Sequence, residues 1–227
     1  RSVEAALLDP CAATPSVVDL RAWSEGPPAD PTLLPSTVPA WPHAGLVLGP
    51  ILRGLKREPS FEGWLRAARW ALDLGHGDVA RRWSAQAARR VEGRSQAAAV
   101  TELQALMRLL SGELDAAERL ARRALEVWPA AESERRAGGQ VVLGRVLAAL
   151  GRSDAARDYL LAGLRTLERL HDGPHRAVAS AQVDLAELRL QLGEVDEAEA
   201  LLDLAMATFT ARGMGEDPAM ARLLGVH

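Results

Sequence analysis

The segment Ser111–Pro129, SGELDAAERLARRALEVWP, is the most informative part of the sequence because small residues and a helix-ending proline occur in it at regular intervals. Ala117 follows Gly112 after five residues and Ala124 follows it after twelve, and Pro129 ends the stretch. A glycine suits the left-handed end of a helix, small residues let two helices approach closely, and a proline cannot continue a helix. The stretch therefore predicts the second helix of a helix–turn–helix hairpin.

The same pattern occurs four times along the chain. The aligned turn residues are Gly75, Gly112, Gly151 and Gly193, at spacings of 37, 39 and 42 residues. A small residue precedes each glycine by seven positions, and others follow it by five and by twelve. Acidic residues just after the turns, such as Asp115 and Asp196, favour the start of the next helix through its dipole. The alternating β-branched segments typical of strands are missing from this region.

These observations predict a repeat region over residues 59–213. Its four units are 61–97, 98–136, 137–178 and 179–213. After it, residues 214–227 are predicted to form a capping helix that starts at Asp217-Pro218, or the first helix of a further repeat.

A proline-rich segment, residues 1–58, precedes the repeats. Ten of the chain's thirteen prolines lie before residue 60, so Glu25–His43 is not expected to form a regular helix. Short helices are predicted elsewhere in the segment. Three interpretations stay open for the proline-rich run: a linker, a strap packed on the helices, or an occupant of the protein's own binding groove.

The aligned pattern resembles the tetratricopeptide repeat (TPR), with Trp64, Leu143 and Leu185 at positions of the family motif. The repeat spacings of 37–42 residues between turn glycines are longer than the family norm and are similar to those in kinesin light chains and bacterial signalling proteins. Another departure concerns the family's tyrosine position, which holds Ala71, Arg108, Leu147 and Arg189. The fold class implied is all-α, an α–α superhelix of about four hairpins preceded by the proline-rich segment.

The resemblance also implies a concave groove lined by the first helix of each unit, where a peptide or protein segment binds. The residues that it places in the groove are Leu65, Arg66, Arg69, Glu102, Leu103, Leu106, Leu110, Val141, Val142, Arg145, Asp184 and Glu187. This groove is expected to be basic at one end, apolar in the middle and acidic at the other. The basic residues with which some family members clamp a carboxyl terminus are not reproduced.

The composition of the chain limits the classes of partner that we expect. The formal net charge is −3, which gives no global field for nucleic acid, and no apolar run approaches the roughly 20 residues that cross a bilayer. We therefore expect no nucleic-acid partner, no membrane insertion in this segment and a cytoplasmic location. The chain begins with Arg1, which indicates a piece of a longer protein.

No catalytic constellation, cofactor motif or metal site is predicted. The single cysteine, Cys11, lies in a proline-bounded stretch with nothing nearby to activate it. His171 and His175 are four residues apart, but the intervening Asp-Gly-Pro breaks any helix that would hold both on one face. The six tryptophans are interpreted as packing residues.

The sequence thus favours a non-catalytic scaffold for protein–protein interaction. It is expected to bind a protein or peptide, including a domain of the same polypeptide, as a regulatory or sensor module of a larger bacterial signalling protein. Two alternatives are a structural module that self-associates and an enzyme built on Cys11.

Overall fold

The computed structural model describes residues 60–73, 75–128 and 133–211, and all regular structure in them is α-helical. The helices are α1 (Phe61–Asp73), α2 (Gly77–Ala88), α3 (Arg94–Leu110), α4 (Leu114–Val127), α5 (Glu134–Ala149), α6 (Ser153–Leu170), α7 (Arg176–Gln191) and α8 (Val195–Ala211). Successive pairs form four hairpins, which confirms the all-α class. The predictions for segment 1–58, for Pro129 and for segment 214–227 lie outside the described residues.

Each hairpin turns at one of the four aligned glycines, as the sequence predicts. Their φ angles are +80°, +74°, +73° and +77° in chain order, which is the left-handed region. At Gly112 the glycine N–H donates to the Leu109 carbonyl at 3.0 Å, and the Glu113 N–H donates to the Arg108 carbonyl at 2.9 Å. The other three turns repeat both bonds at 2.8–3.0 Å. This pair of bonds is the Schellman motif, which satisfies the last carbonyls of the first helix.

The small residues mark points where the two helices of a hairpin touch. The third hairpin has glycine at two of these points. A Cβ built on Gly144 would lie 2.7 Å from Leu160 Cγ, and one on Gly163 would lie 2.8 Å from the Ala137 carbonyl oxygen. Larger side chains would force these helices apart, so the backbone approach requires residues of this size.

The chain divides into two compact units, Arg1–Glu92 and Gly93–His227. In the described part of the first unit, α1 and α2 pack around Trp64 and Trp83, both fully buried, with ring centroids 6.4 Å apart. The Arg90 guanidinium lies 5.7 Å from the Trp64 ring centroid, a cation–π contact. The tryptophans are thus packing residues here.

The second unit stacks three hairpins. Each second helix contacts the first helix of the following hairpin, as α4 does α5 and α6 does α7. The first helices α3, α5 and α7 also contact one another in order. They form a continuous row, which we call the first-helix row. Because α5 has neighbours on nearly every side, eight of its residues are buried.

Two turns carry an ion pair that explains a departure from the family motif. Arg108 pairs with Glu113 across the turn at Gly112, and Arg189 pairs with Glu194 across the turn at Gly193. Both arginines stand at the family's tyrosine position, four residues before the glycine. The turns with Ala71 and Leu147 at that position have His76 and Arg152, and no acid, directly after the glycine.

Candidate partner-binding surface

The expected groove residues of the first unit lie on α1. Arg66 is exposed, whereas Leu65 and Arg69 are half-buried. These side chains are separated by one helical turn or less, so Arg66 offers the most accessible positive charge on this side of α1.

Four of the expected groove residues in the second unit fill its interior. They are Leu103, Leu106, Val141 and Val142, with exposed fractions of 1%, 2%, 8% and 1%. Each lies on α3 or α5, two of the three helices of the first-helix row. Such side chains hold the hairpins together and leave a ligand almost no surface to contact.

The remaining expected residues reach the surface of the row. Leu110 is 60% exposed at the end of α3, next to the turn. Glu102 is half-buried two turns earlier on the same helix, and Glu187 is exposed on α7. The row therefore presents an apolar side chain on α3 and acidic side chains on α3 and α7.

Arg145 and Asp184, both expected to bind a partner, bind each other. Arg145 Nε lies 3.4 Å from Asp184 Oδ1, so the pair joins α5 to α7 across two neighbouring repeats. The Asp184 side chain is only 3% exposed and that of Arg145 is 23% exposed. The positive charge of Arg145 and the negative charge of Asp184 therefore neutralise each other within the row. The spacing of residues in the sequence did not indicate this ion pair.

A second network ties the repeats together away from the row. The Glu118 carboxylate on α4 accepts hydrogen bonds from Arg122 at 2.8 Å and from Arg152 at 2.8 Å, the latter from the turn between α5 and α6. The Arg122 hydrogen bond, aided by the charge of Arg152, outweighs burial and lowers the pKa of Glu118. Glu118 therefore stays ionised and couples the second hairpin to the third.

The structure brings together one group of residues that could hold a metal ion, which the sequence pattern did not indicate. The donor atoms of Glu134, His171 and His175 lie within 4.8 Å of one another. The two histidines do not share a helix face; the loop between α6 and α7 stacks their imidazoles on each other instead. The sequence feature that could have indicated this contact is the pair of histidines on either side of a Gly-Pro turn.

No helix among the described residues is long and apolar enough to cross a membrane. Among the residues that the structure describes, the candidate surface consists of buried packing residues, ion pairs and exposed charged side chains on the packed helices.

The array has counterparts among known proteins. The tetratricopeptide repeat family matches residues 135–225. The crystal structure of BtubC (BKLC) from P. vanneervenii is similar with a TM-score of 0.52 and 19% identity, covering 82% of this chain and 83% of that one. The APC/C hetero-tetramer Cut9–Hcn1 is similar with a TM-score of 0.53 and 16% identity, covering 83% of this chain and 36% of that one. No curated protein matches the sequence.

The stacked hairpins define the class of protein as an α-solenoid of helical repeats. Residues 135–225 match the tetratricopeptide repeat family by sequence, in agreement with the glycine and alanine spacing of that part of the chain. Repeats of this kind are typical of protein–protein interaction scaffolds, and proteins that carry them bind protein partners. At identities below 20%, the likeness to the two solved structures is one of fold alone.

Proposed function

We propose that this chain is a non-catalytic scaffold that binds a peptide or protein segment along the first-helix row. The observation that carries the proposal is the row itself: three first helices in contact, stiffened by buried leucines and valines, with Leu110 and Glu187 exposed. A rigid row that presents separate apolar and acidic side chains suits recognition of an extended or helical segment. In the first unit, the same role is proposed for Leu65, Arg66 and Arg69.

The charges of the row define the partner's chemistry. Arg145 is engaged by Asp184, which is itself buried, so Glu187 is the exposed charged residue among the described residues of α7. We infer a partner segment with a basic side chain for Glu187 and an apolar side chain for Leu110. Complementary charge at the exposed edge of a binding surface affects specificity and association rate more than affinity.

We also propose that the scaffold is a cytoplasmic regulatory or sensor module of a larger bacterial signalling protein. This interpretation rests on the resemblance of the long repeats to those of such proteins. We expect the full reading frame to encode an effector domain as well. We also expect this chain, produced separately, to bind that domain. A reading frame that encodes only the repeats would remove the module interpretation and leave the stand-alone scaffold.

Site-specific photocrosslinking tests the binding row. A photoreactive amino acid replaces Glu187 on α7 in one variant and Glu168 on α6 in the other, since both glutamates are exposed on helices of the second unit. The expected result in the native host is one discrete protein adduct from the α7 probe and none from the α6 probe. Equal labelling from both positions, or none from α7, would contradict binding along the row.

Self-association is a second candidate function, favoured by exposed apolar side chains on the last hairpin. Leu190, Val195 and Leu204 are 47%, 50% and 56% exposed. Light scattering at several concentrations tests this candidate. A concentration-dependent mass that falls to the monomer in L204E supports it, and a monomer at every concentration removes it.

A further inference from the structure

Glu134, His171 and His175 meet at one end of the third hairpin. Glu134 is the first residue of α5, His171 follows the last residue of α6, and His175 precedes the first residue of α7. Because α5 and α6 are antiparallel, the start of one and the end of the other lie together, opposite the turn at Gly151. The short connection to α7 then returns His175 to the same place.

The three side chains form a compact set of donor atoms. His171 Nε2 lies 3.7 Å from Glu134 Oε1, and the two imidazole rings stack with centroids 3.4 Å apart at an angle of 9°. His171 Nε2 is buried and has no hydrogen-bond partner. Buried polar atoms nearly always have a partner, so this nitrogen is a group whose chemistry the packing does not explain.

We propose that Glu134, His171 and His175 bind a divalent transition-metal ion of the zinc class, with water completing the coordination. Two imidazoles and one carboxylate are a ligand set that zinc accepts, and imidazole disfavours magnesium and calcium. Metal–ligand distances of about 2.0–2.2 Å place tetrahedral donor atoms about 3.4 Å apart. The donors here lie within 4.8 Å, so side-chain rotation closes the set. The Glu134 side chain is 58% exposed, which leaves that side open to water.

Metal binding has a local consequence at α7. His175 Nδ1 accepts a hydrogen bond from the Ala177 N–H at 3.3 Å and so caps the helix. A neutral imidazole that binds metal through Nε2 carries its proton on Nδ1, and one that binds through Nδ1 has used that lone pair. In both cases the Ala177 N–H loses its acceptor. The stacked rings must also rotate, because their in-plane lone pairs lie in nearly parallel planes.

The ion would tie the start of α5 to the connection between the third and fourth hairpins. It would thus fix the position of α7, which carries Glu187, relative to α5. A structural ion of this kind stabilises the folded chain by binding that state alone.

Calorimetric titration of the full, tag-free chain with zinc chloride tests the site. We expect one ion per chain, and H171Q, H175Q and E134Q should each weaken binding by about tenfold or more. Two controls should keep the original affinity: H76Q, which alters the histidine before α2, and C11S, which removes the single thiol.

A measurement on the unaltered chain keeps the test independent of how the variants fold. In ¹H–¹⁵N spectra, zinc should shift the Ala177 amide and the His171 ring nitrogens, and a chelator should reverse both shifts. The absence of saturable binding, binding that survives all three glutamine variants, binding lost in either control, or an Ala177 amide that zinc leaves unmoved would each overturn the proposal.

Discussion

Arg145 Nε on α5 lies 3.4 Å from Asp184 Oδ1 on α7, and this pair takes an apolar position of the repeat. Asp184 stands nine residues before its turn glycine, where the two preceding repeats have Leu103 and Val142, both buried. Its side chain is nearly as inaccessible as theirs. An arginine from the neighbouring repeat therefore balances a charge that the stacking of hairpins would otherwise leave buried.

Removal of Arg145 should destabilise the second unit. R145A takes the cationic partner from a carboxylate that is 3% exposed, and a buried acceptor deprived of a partner costs about 1–3 kcal/mol. Urea unfolding followed by circular dichroism measures the loss. The exposed Glu187 on the same helix as Asp184 gives the control, and E187Q should change stability by less than about 0.5 kcal/mol.

The double variant R145M/D184V should recover most of the stability that R145A loses. It restores the apolar residue found at this position in the preceding repeat, and apolar replacement of a buried ion pair is often neutral or stabilising. If R145A and E187Q lost the same small amount, the ion pair would have no structural role.

The Glu118 network should make stability depend on pH in the acidic range. Because the Arg122 hydrogen bond lowers the pKa of Glu118 below its ordinary 4.5, this stabilisation is complete above that value. It is lost as pH falls through the lower folded-state pKa. E118Q should reduce stability at pH 7 by about 0.5–1 kcal/mol, and the difference should vanish in acid.

Chemical unfolding of E118Q and of the original chain across pH 2–8 would show this convergence. Glu126, exposed on the same helix, supplies the matched variant E126Q, whose stability should stay parallel to that of the original chain. An E118Q difference that persisted unchanged into acid would contradict the linkage.

Alanine substitution should have opposite effects on stability at two helical glycines of the third hairpin, Gly163 at a close helix contact and Gly138 away from any contact. A Cβ on Gly163 meets the Ala137 carbonyl at 2.8 Å, and G163A should cost about 1–3 kcal/mol because the backbone must shift. A Cβ on Gly138 meets nothing within 4 Å, and G138A should stabilise α5 by about 0.5–1 kcal/mol. Thermal unfolding of both variants measures the difference. Equal effects in one direction would mean that the helices do not approach as described.

Much of the fold could be predicted because its requirements are local. A left-handed residue ends each first helix, and only glycine takes that conformation cheaply, so Gly75, Gly112, Gly151 and Gly193 mark the turns. The small residues follow from the distance between the two helices of one hairpin. Both requirements recur in every repeat, and the repeat spacing can therefore be recognised in a single sequence.

The surface was less predictable because it depends on how one hairpin stacks on the next. Val141 and Val142 share α5 with Arg145, yet contacts from neighbouring helices bury the valines and pair the arginine. The pairing of Arg145 with Asp184 spans neighbouring repeats and leaves no trace in spacing. His171 and His175 meet through a loop, which helical periodicity does not describe.

If the first-helix row binds a partner as proposed, its exposed acidic residue Glu187 is part of the contact. Titration of the crosslinked partner, or of its binding segment, into E187R and E168R tests it most directly, since both variants reverse an exposed charge in the second unit. We predict at least a tenfold loss of affinity for E187R, which is about 1.4 kcal/mol, and little change for E168R. Equal affinities for E187R and the original chain, or a loss confined to E168R, would contradict it.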